Sequence, residues 1–202
     1  MLDTLLRPLK ERVLTLLAHV GGRRLSPIAV TLSAFVVGIG AAVLAAHRAY
    51  GAALALWIAN RVLDGFDGTL ARVQGTQSDL GGYLDILLDF VVYAAVPVGL
   101  VVGVGTRTPL IAALGLLASF YVNAASWMYL AAVLERRDAG ARARGELTTV
   151  TMPPGLIGGT ETVVCFTLLL LFPQYVAPLC WWMTGLVLLT VVQRLVWAIR
   201  CL

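Results

Sequence analysis

Six runs of apolar residues, at about 26 to 47, 50 to 70, 80 to 104, 108 to 134, 156 to 172 and 176 to 199, dominate the chain. Each approaches the roughly 20 residues that an α-helix needs to cross the hydrocarbon core of a bilayer. The pattern predicts an all-α, polytopic membrane protein with six transmembrane helices. Ahead of the first run, Leu2, Leu5, Leu6, Leu9, Val13, Leu16 and Leu17 recur at helical spacing, while Asp3, Arg7, Lys10 and Glu11 take the other side. That arrangement predicts an amphipathic helix lying along the membrane surface. It does not read as a signal peptide, because no unbroken apolar stretch leads to a small-residue cleavage site. The segment from Glu135 to Pro154, with its arginines and paired prolines, is the one long loop. The expected organisation is a juxtamembrane helix over residues 1–25 followed by one six-helix domain over residues 26–202.

Composition agrees that water is not the main solvent. Of the 202 residues 59% are hydrophobic and 13% charged, against roughly 25% charged in soluble domains, and mean hydropathy is +0.88. With six spans and a cytoplasmic N-terminus, only Arg48 and Arg107 of the 15 basic residues fall on the outer side. The positive-inside rule then puts both termini, and the acidic residues described next, toward the cytoplasm. The net charge of +4 follows from this bias, so no nucleic-acid partner is required. A basic inner face suits anionic lipid headgroups. Small size and the lack of a targeting segment point to a prokaryotic inner membrane. Cys165, Cys180 and Cys201 have neither metal-binding nor redox spacing and read as packing residues. His19 and His47 lie far from each other and from the acids, which leaves a histidine metal site or a Ser-His triad without support.

The second apolar run is interrupted by Arg61, Asp64 and Asp67, and the third by Asp85 and Asp89. A carboxylate in a membrane helix costs about 2.5–3.5 kcal/mol on insertion scales, so four together cost on the order of 10 kcal/mol unless something offsets them. Asp64 and Asp67 are three apart and Asp85 and Asp89 four apart, which puts each pair on one face of its helix. An antiparallel pair of helices turning around Gln74 to Ser78 would bring the four together as a hard oxygen cage, suited to Mg²⁺ or Mn²⁺. Four negative charges exceed one such ion, leaving room for two, a clamp for a diphosphate. Gly68, Ala71, Gly75, Gly81 and Gly82 surround the acids and predict close approach. Gly75 and Gly82 read as helix-contact residues, and Gly68 and Gly81 as places where a ligand meets the backbone. Arg72 reads either as a planar fork for phosphate or as the charge partner of an aspartate.

Together these residues spell Asp64-x-x-Asp67-Gly68-x-x-Ala71-Arg72, eight further residues, then Gly81-x-x-x-Asp85-x-x-x-Asp89. The pattern resembles, at all eight fixed positions, the signature of the CDP-alcohol phosphotransferase (CDP-alcohol phosphatidyltransferase) family. The resemblance implies that Asp64, Asp67, Asp85 and Asp89 bind metal, with Asp89 also removing a proton from the acceptor hydroxyl. It further implies that Gly68, Arg72 and Gly81 lie against the CDP moiety of the donor. Ser78 matches a donor-contacting position of phosphatidylinositol-phosphate-synthase-like members, with a turn or helix N-cap as its plainer role. The family also tends toward Pro-Asn-x-x-Thr at the first span; here Pro27-Ile28-Ala29-Val30-Thr31 keeps only the threonine, so Thr31 alone carries over. Chemistry points the same way, since a hydroxyl is a poor nucleophile at neutral pH and needs a carboxylate within reach. Asp89, deepest along its span, is the best placed.

The implied enzyme transfers a phosphatidyl group from CDP-diacylglycerol to a small polar alcohol and releases CMP; the family also implies a homodimer. For the acceptor, Arg194 near the end of the last span and Glu161 at the start of the fifth are the candidates, with an Arg194–Glu161 pair as the alternative. No aromatic cage is evident, so a polyol or polyol phosphate fits better than choline. A CDP-alcohol donor acting on a lipid alcohol such as diacylglycerol would use the same signature. A cation transporter would also place acids in the membrane, though usually spread along a path rather than clustered at one face. Membrane prenyltransferases separate their acidic motifs far more widely along the chain.

Overall fold

Proline, glycine and serine mark where the helices begin and end. The computed structural model describes residues 25–140 and 155–202, together with Leu14, Thr15, Ala18, Ala143, Gly145 and Thr151. Helix α1, Pro27–Ala46, opens on a proline, whose missing N–H costs nothing in a first turn. Helix α2, Tyr50–Gln74, stops at Gly75, which adopts φ 65° and turns its N–H back onto the last carbonyls. Ser78 starts α3, Asp79–Val104, and Gly105 at φ 73° ends it. Helix α4 is Arg107–Arg136 and α5 is Gly159–Leu171; a 3-10 turn, Pro173–Tyr175, leads into α6, Val176–Cys201. No strand occurs among the described residues.

The six apolar runs thus correspond to six helices. Four stretches are long and apolar enough to cross a bilayer: α1, α3, α4 and Pro173–Cys201, which is α6 with its preceding turn. Helix α2 has the length, but its polar positions reduce its apolar character. Helix α5 has 13 residues, or about 20 Å at 1.5 Å per residue, short of a hydrocarbon core of about 30 Å. The protein is an integral membrane protein, and large apolar side chains such as Val36, Val102, Leu114 and Ile199 face outward where lipid would meet them. The expected surface helix over residues 1–25 lies outside the described residues, apart from Leu14, Thr15 and Ala18, which have helical backbone. Ala18 packs with Val30 and Leu70.

Helix α1 is the hub. It packs against both α2 and α3, while α4 pairs with α6 and α5 leans on α2. Trp57, Phe166, Leu100 and Leu116 are fully buried in the shared core, and Phe166 joins the Trp57 and Tyr93 rings at centroid distances of 5.5 and 5.6 Å. The close backbone approach lies along α1 and α3: a Cβ on Gly99 would strike the Ala42 carbonyl, and one on Gly103 the Ala45 carbonyl. At the end of α3, Arg48 Nε donates to Gly103 O at 2.6 Å, supplying a partner for a terminal carbonyl.

Two sequence expectations change. Gly75 serves as the left-handed cap of α2 rather than as a helix-contact residue, and among the described residues nothing lies within 4 Å of an added Cβ. Cys165 and Cys180 are buried packing residues as expected, whereas Cys201, at the end of α6, is exposed.

Replacing Gly99 with Ala is expected to destabilise the protein by about 1–3 kcal/mol through overpacking at α1. Ala at Gly51, whose surroundings are open, is expected to cause no loss. Thermal unfolding of both variants in detergent checks the contrast.

Candidate active site

Helix α2 carries Asn60, Arg61, Asp64, Asp67, Gly68 and Arg72; α3 carries Asp85, Asp89 and Tyr93. The two helices are joined by the turn at residues 75–78 but pack on α1 rather than broadly on each other. Side chains, not backbone, connect them.

The main connection is Arg61. Its Nη2 donates to Asp89 Oδ1 at 2.6 Å and its Nη1 approaches Asp89 Oδ2 at 3.3 Å, a two-pronged grip on one carboxylate. Nη1 also donates to the Tyr93 hydroxyl at 2.9 Å and lies 3.6 Å from Asp64 Oδ2. Nε donates to Asn60 Oδ1 at 2.7 Å, and the Asn60 amide donates to Ala34 O of α1 at 2.8 Å. The guanidinium sits 4.9 Å from the ring centres of both Trp57 and Tyr93. Trp57 in turn donates to Thr167 of α5 at 3.1 Å. Four helices therefore meet around one cation.

Asp67 is buried. Its Oδ1 accepts the Gly68 N–H at 2.5 Å, while its Oδ2 accepts no hydrogen bond among the described residues. The Thr31 hydroxyl, which donates to Pro27 O at 3.0 Å, lies beside this carboxylate. Asp64 is within electrostatic reach of Asp67, Asp85 and Asp89. The four predicted aspartates thus share one region. As the side chains stand, no three acidic, His or Cys groups among the described residues converge on an ion-sized point; Arg61 lies between Asp64 and Asp89. The donor set nevertheless suits a hard divalent cation. An orphaned buried carboxylate oxygen lacks the donor that a metal would replace. At neighbouring Gly68 a Cβ would meet, among the described residues, the Arg72 guanidinium at 3.6 Å.

Arg72 Nη2 donates to Thr69 Oγ1 at 3.0 Å, and the ion pairs to Asp64 and Asp89 are made by Arg61 instead. Ser78 is the N-cap of α3, accepting the Gly81 N–H at 3.1 Å. The acceptor candidates lie on two other helices. Glu161 Oε2 accepts the Gly158 N–H at 3.2 Å at the start of α5. Arg194 is buried in α6, donates to Asn123 of α4 at 2.9 Å and, among the described residues, has no partner for its Nε. Beside it, Thr190 and Gln193 receive the Ile157 and Leu156 N–H groups, tying the approach to α5 down onto α6.

In the sequence Arg61 reads as an interruption and a topology charge, and Asn60, Trp57 and Tyr93 do not stand out. The available signal was positional: Arg61 precedes Asp64 by three residues and Tyr93 follows Asp89 by four, so each shares a helix face with an acid.

Comparison with known proteins gives the family and the fold. A family model described as CDP-alcohol phosphatidyltransferase matches residues 24–192. The chain is 34% identical over 186 residues to the inner membrane protein YnjF of Escherichia coli (strain K12), covering 89% of this chain and 87% of that protein. Its fold is similar to that of the phosphatidylinositol phosphate synthase PgsA1 of Mycobacterium tuberculosis. Against the crystal structure with CDP-DAG bound, the TM-score is 0.71 at 22% identity, with 91% of this chain and 92% of that one covered. Against the complex with manganese and citrate it is 0.67 at 23% identity, over 92% and 87%.

The cap geometry at Ser78 gives a test that separates structure from ligand contact. Ser78→Ala is expected to cost about 1 kcal/mol of stability and Ser78→Asn to restore most of it. Unfolding midpoints, read beside donor affinity, check whether the hydroxyl also serves a ligand.

Proposed function

The chain belongs to the CDP-alcohol phosphatidyltransferase family, and from that premise we propose that it transfers a phosphatidyl group from CDP-diacylglycerol to a small polar alcohol, a polyol or polyol phosphate, releasing CMP. The observation that carries this reading is the buried Asp67 Oδ2, which has no hydrogen-bond partner among the described residues, with Asp64, Asp85 and Asp89 close by. The PgsA1 structures with CDP-DAG and with manganese support the same donor and a divalent metal here.

Asp64, Asp67, Asp85 and Asp89 are the proposed metal ligands. Mg²⁺ or Mn²⁺ at these carboxylates, two ions by charge, would neutralise the diphosphate and the departing phosphate. Gly68 and Gly81 offer the donor a backbone without side chains, Arg72 a charged fork for phosphate, and Thr31 and Ser78 hydroxyls at the pocket edge. Asp89 takes the proton of the acceptor hydroxyl as its oxygen bonds to the phosphorus nearer the lipid. The bond from that phosphorus to the CMP oxygen breaks, and Arg72 helps hold the charge that develops on CMP.

Arg194 and Glu161 are the proposed acceptor contacts. The spare Nε–H of buried Arg194 favours an acceptor bearing phosphate, and Glu161 suits hydroxyl groups. The distribution of basic residues supports six spans, with both termini and the site at the cytoplasmic side of a prokaryotic inner membrane. A homodimer is part of the same proposal.

Purified protein is expected to release CMP from CDP-diacylglycerol only with Mg²⁺ or Mn²⁺, stimulated by one of glycerol phosphate, inositol phosphate, inositol or serine. Asp85→Asn should abolish release. Asp89→Asn should bind donor normally but turn over about 10²–10⁴-fold more slowly; full activity in that variant would remove Asp89 as the base. No release with any acceptor would reject this donor assignment.

A further inference from the structure

We propose that Arg61 is a positioning residue for Asp89: its guanidinium, fixed in its own plane by neighbours on α2 and α3, sets the orientation of the carboxylate that accepts the proton. This rests on the assignment of Asp89 as the base. The side chain is 9% exposed, so a fully charged group is held largely away from solvent, which is costly without close partners. If its task were only to join α2 to α3, an apolar side chain would do so at lower cost.

Each part of the guanidinium has a separate restraint. Nε–H is held by Asn60 Oδ1 at 2.7 Å, and Asn60 is itself anchored to the α1 backbone at Ala34 O. Nη1 is held by the Tyr93 hydroxyl at 2.9 Å. Trp57 and Tyr93 flank the cation, each ring centre 4.9 Å away. Nη2 and Nη1 are left to meet the two oxygens of Asp89 at 2.6 and 3.3 Å. A carboxylate gripped at both oxygens cannot rotate freely about its terminal bond, so the orientation of Asp89 follows that of Arg61. A small misplacement of a reacting group lowers turnover steeply, whereas donor binding elsewhere in the site is spared.

A lysine keeps the charge but cannot form the fork. Arg61→Lys is therefore expected to keep the unfolding midpoint, to bind Mn²⁺ and CDP-diacylglycerol within about threefold of wild type, and to lose about 30-fold in kcat. Arg61→Met should lose more than about 100-fold in kcat, yet bind Mn²⁺ at least as tightly as wild type by electron paramagnetic resonance, because a competing positive charge is gone. Tyr93→Phe, which removes one restraint and keeps the ring, should lose about three- to tenfold in kcat with little change in midpoint. Normal kcat in Arg61→Lys overturns the proposal. So does loss of Mn²⁺ binding in well-folded Arg61 variants, since Arg61 would then organise the whole carboxylate set. Should Arg61→Met fail to fold, Arg61→Lys and Tyr93→Phe decide between the same outcomes. Asp89→Asn run in parallel separates the two claims: an active Asp89→Asn rejects the base assignment, while an inactive Asp89→Asn beside active Arg61 variants rejects only the role of Arg61.

Discussion

A charge inside a membrane protein must find its opposite within the protein, because neither lipid nor a dry core will solvate it. Among the described residues, buried Arg61 meets that demand for Asp64 and Asp89. Arg61 pairs with Asp89 and lies near Asp64, and its own hydration is replaced by Asn60, Tyr93 and the faces of two aromatic rings. Much of the polar architecture of α1, α2, α3 and α5 is arranged to make that one cation tolerable. Among the described residues Asp67 Oδ2 is left without a partner, and the proposed divalent cation rests on it.

Packing supports this charge arrangement by keeping α2 and α3 apart. Both rest on α1, and the tight seam runs along α1 and α3, where Gly99 and Gly103 let backbone meet backbone. Anchoring α3 there frees its other end, with Asp85 and Asp89, from having to pack closely on α2. Space is left at Gly68, where a ligand would need it. Pro97 falls in the same anchored half of α3, where neighbouring packing can compensate for a missing helix hydrogen bond.

The half of the bundle formed by α4 and α6 holds a second polar centre. Arg194 is buried there with Asn123, and the residues leading into α5 are tied to Thr190 and Gln193. The two centres differ in kind. Arg61 is saturated by acids and aromatics, whereas Arg194 has one N–H unpaired among the described residues. That difference suits a division in which one cation orients a carboxylate and the other remains available to an incoming anion.

The sequence by itself determined whatever depends on local spacing. Six apolar runs became six helices, Pro27 and Ser78 began two of them, and the fixed intervals from Asp64 to Asp89 placed each acidic pair on one helix face. Periodicity along a chain reports faces, caps and lengths. Tertiary structure alone decided which faces meet and what stands between them. Arg61 and Asp89 are separated by 28 residues and belong to different helices, so no local pattern ties them, and Arg61 was legible only as a topology charge. Gly75 looked like a packing glycine because composition does not reveal backbone conformation, and its left-handed φ identifies it as a cap. Arg194 likewise acquired Asn123 as its partner only when α4 paired with α6 across 71 residues of chain. A buried charge is costly wherever it occurs, which the sequence makes plain; the partner that offsets the cost is a matter of three-dimensional proximity.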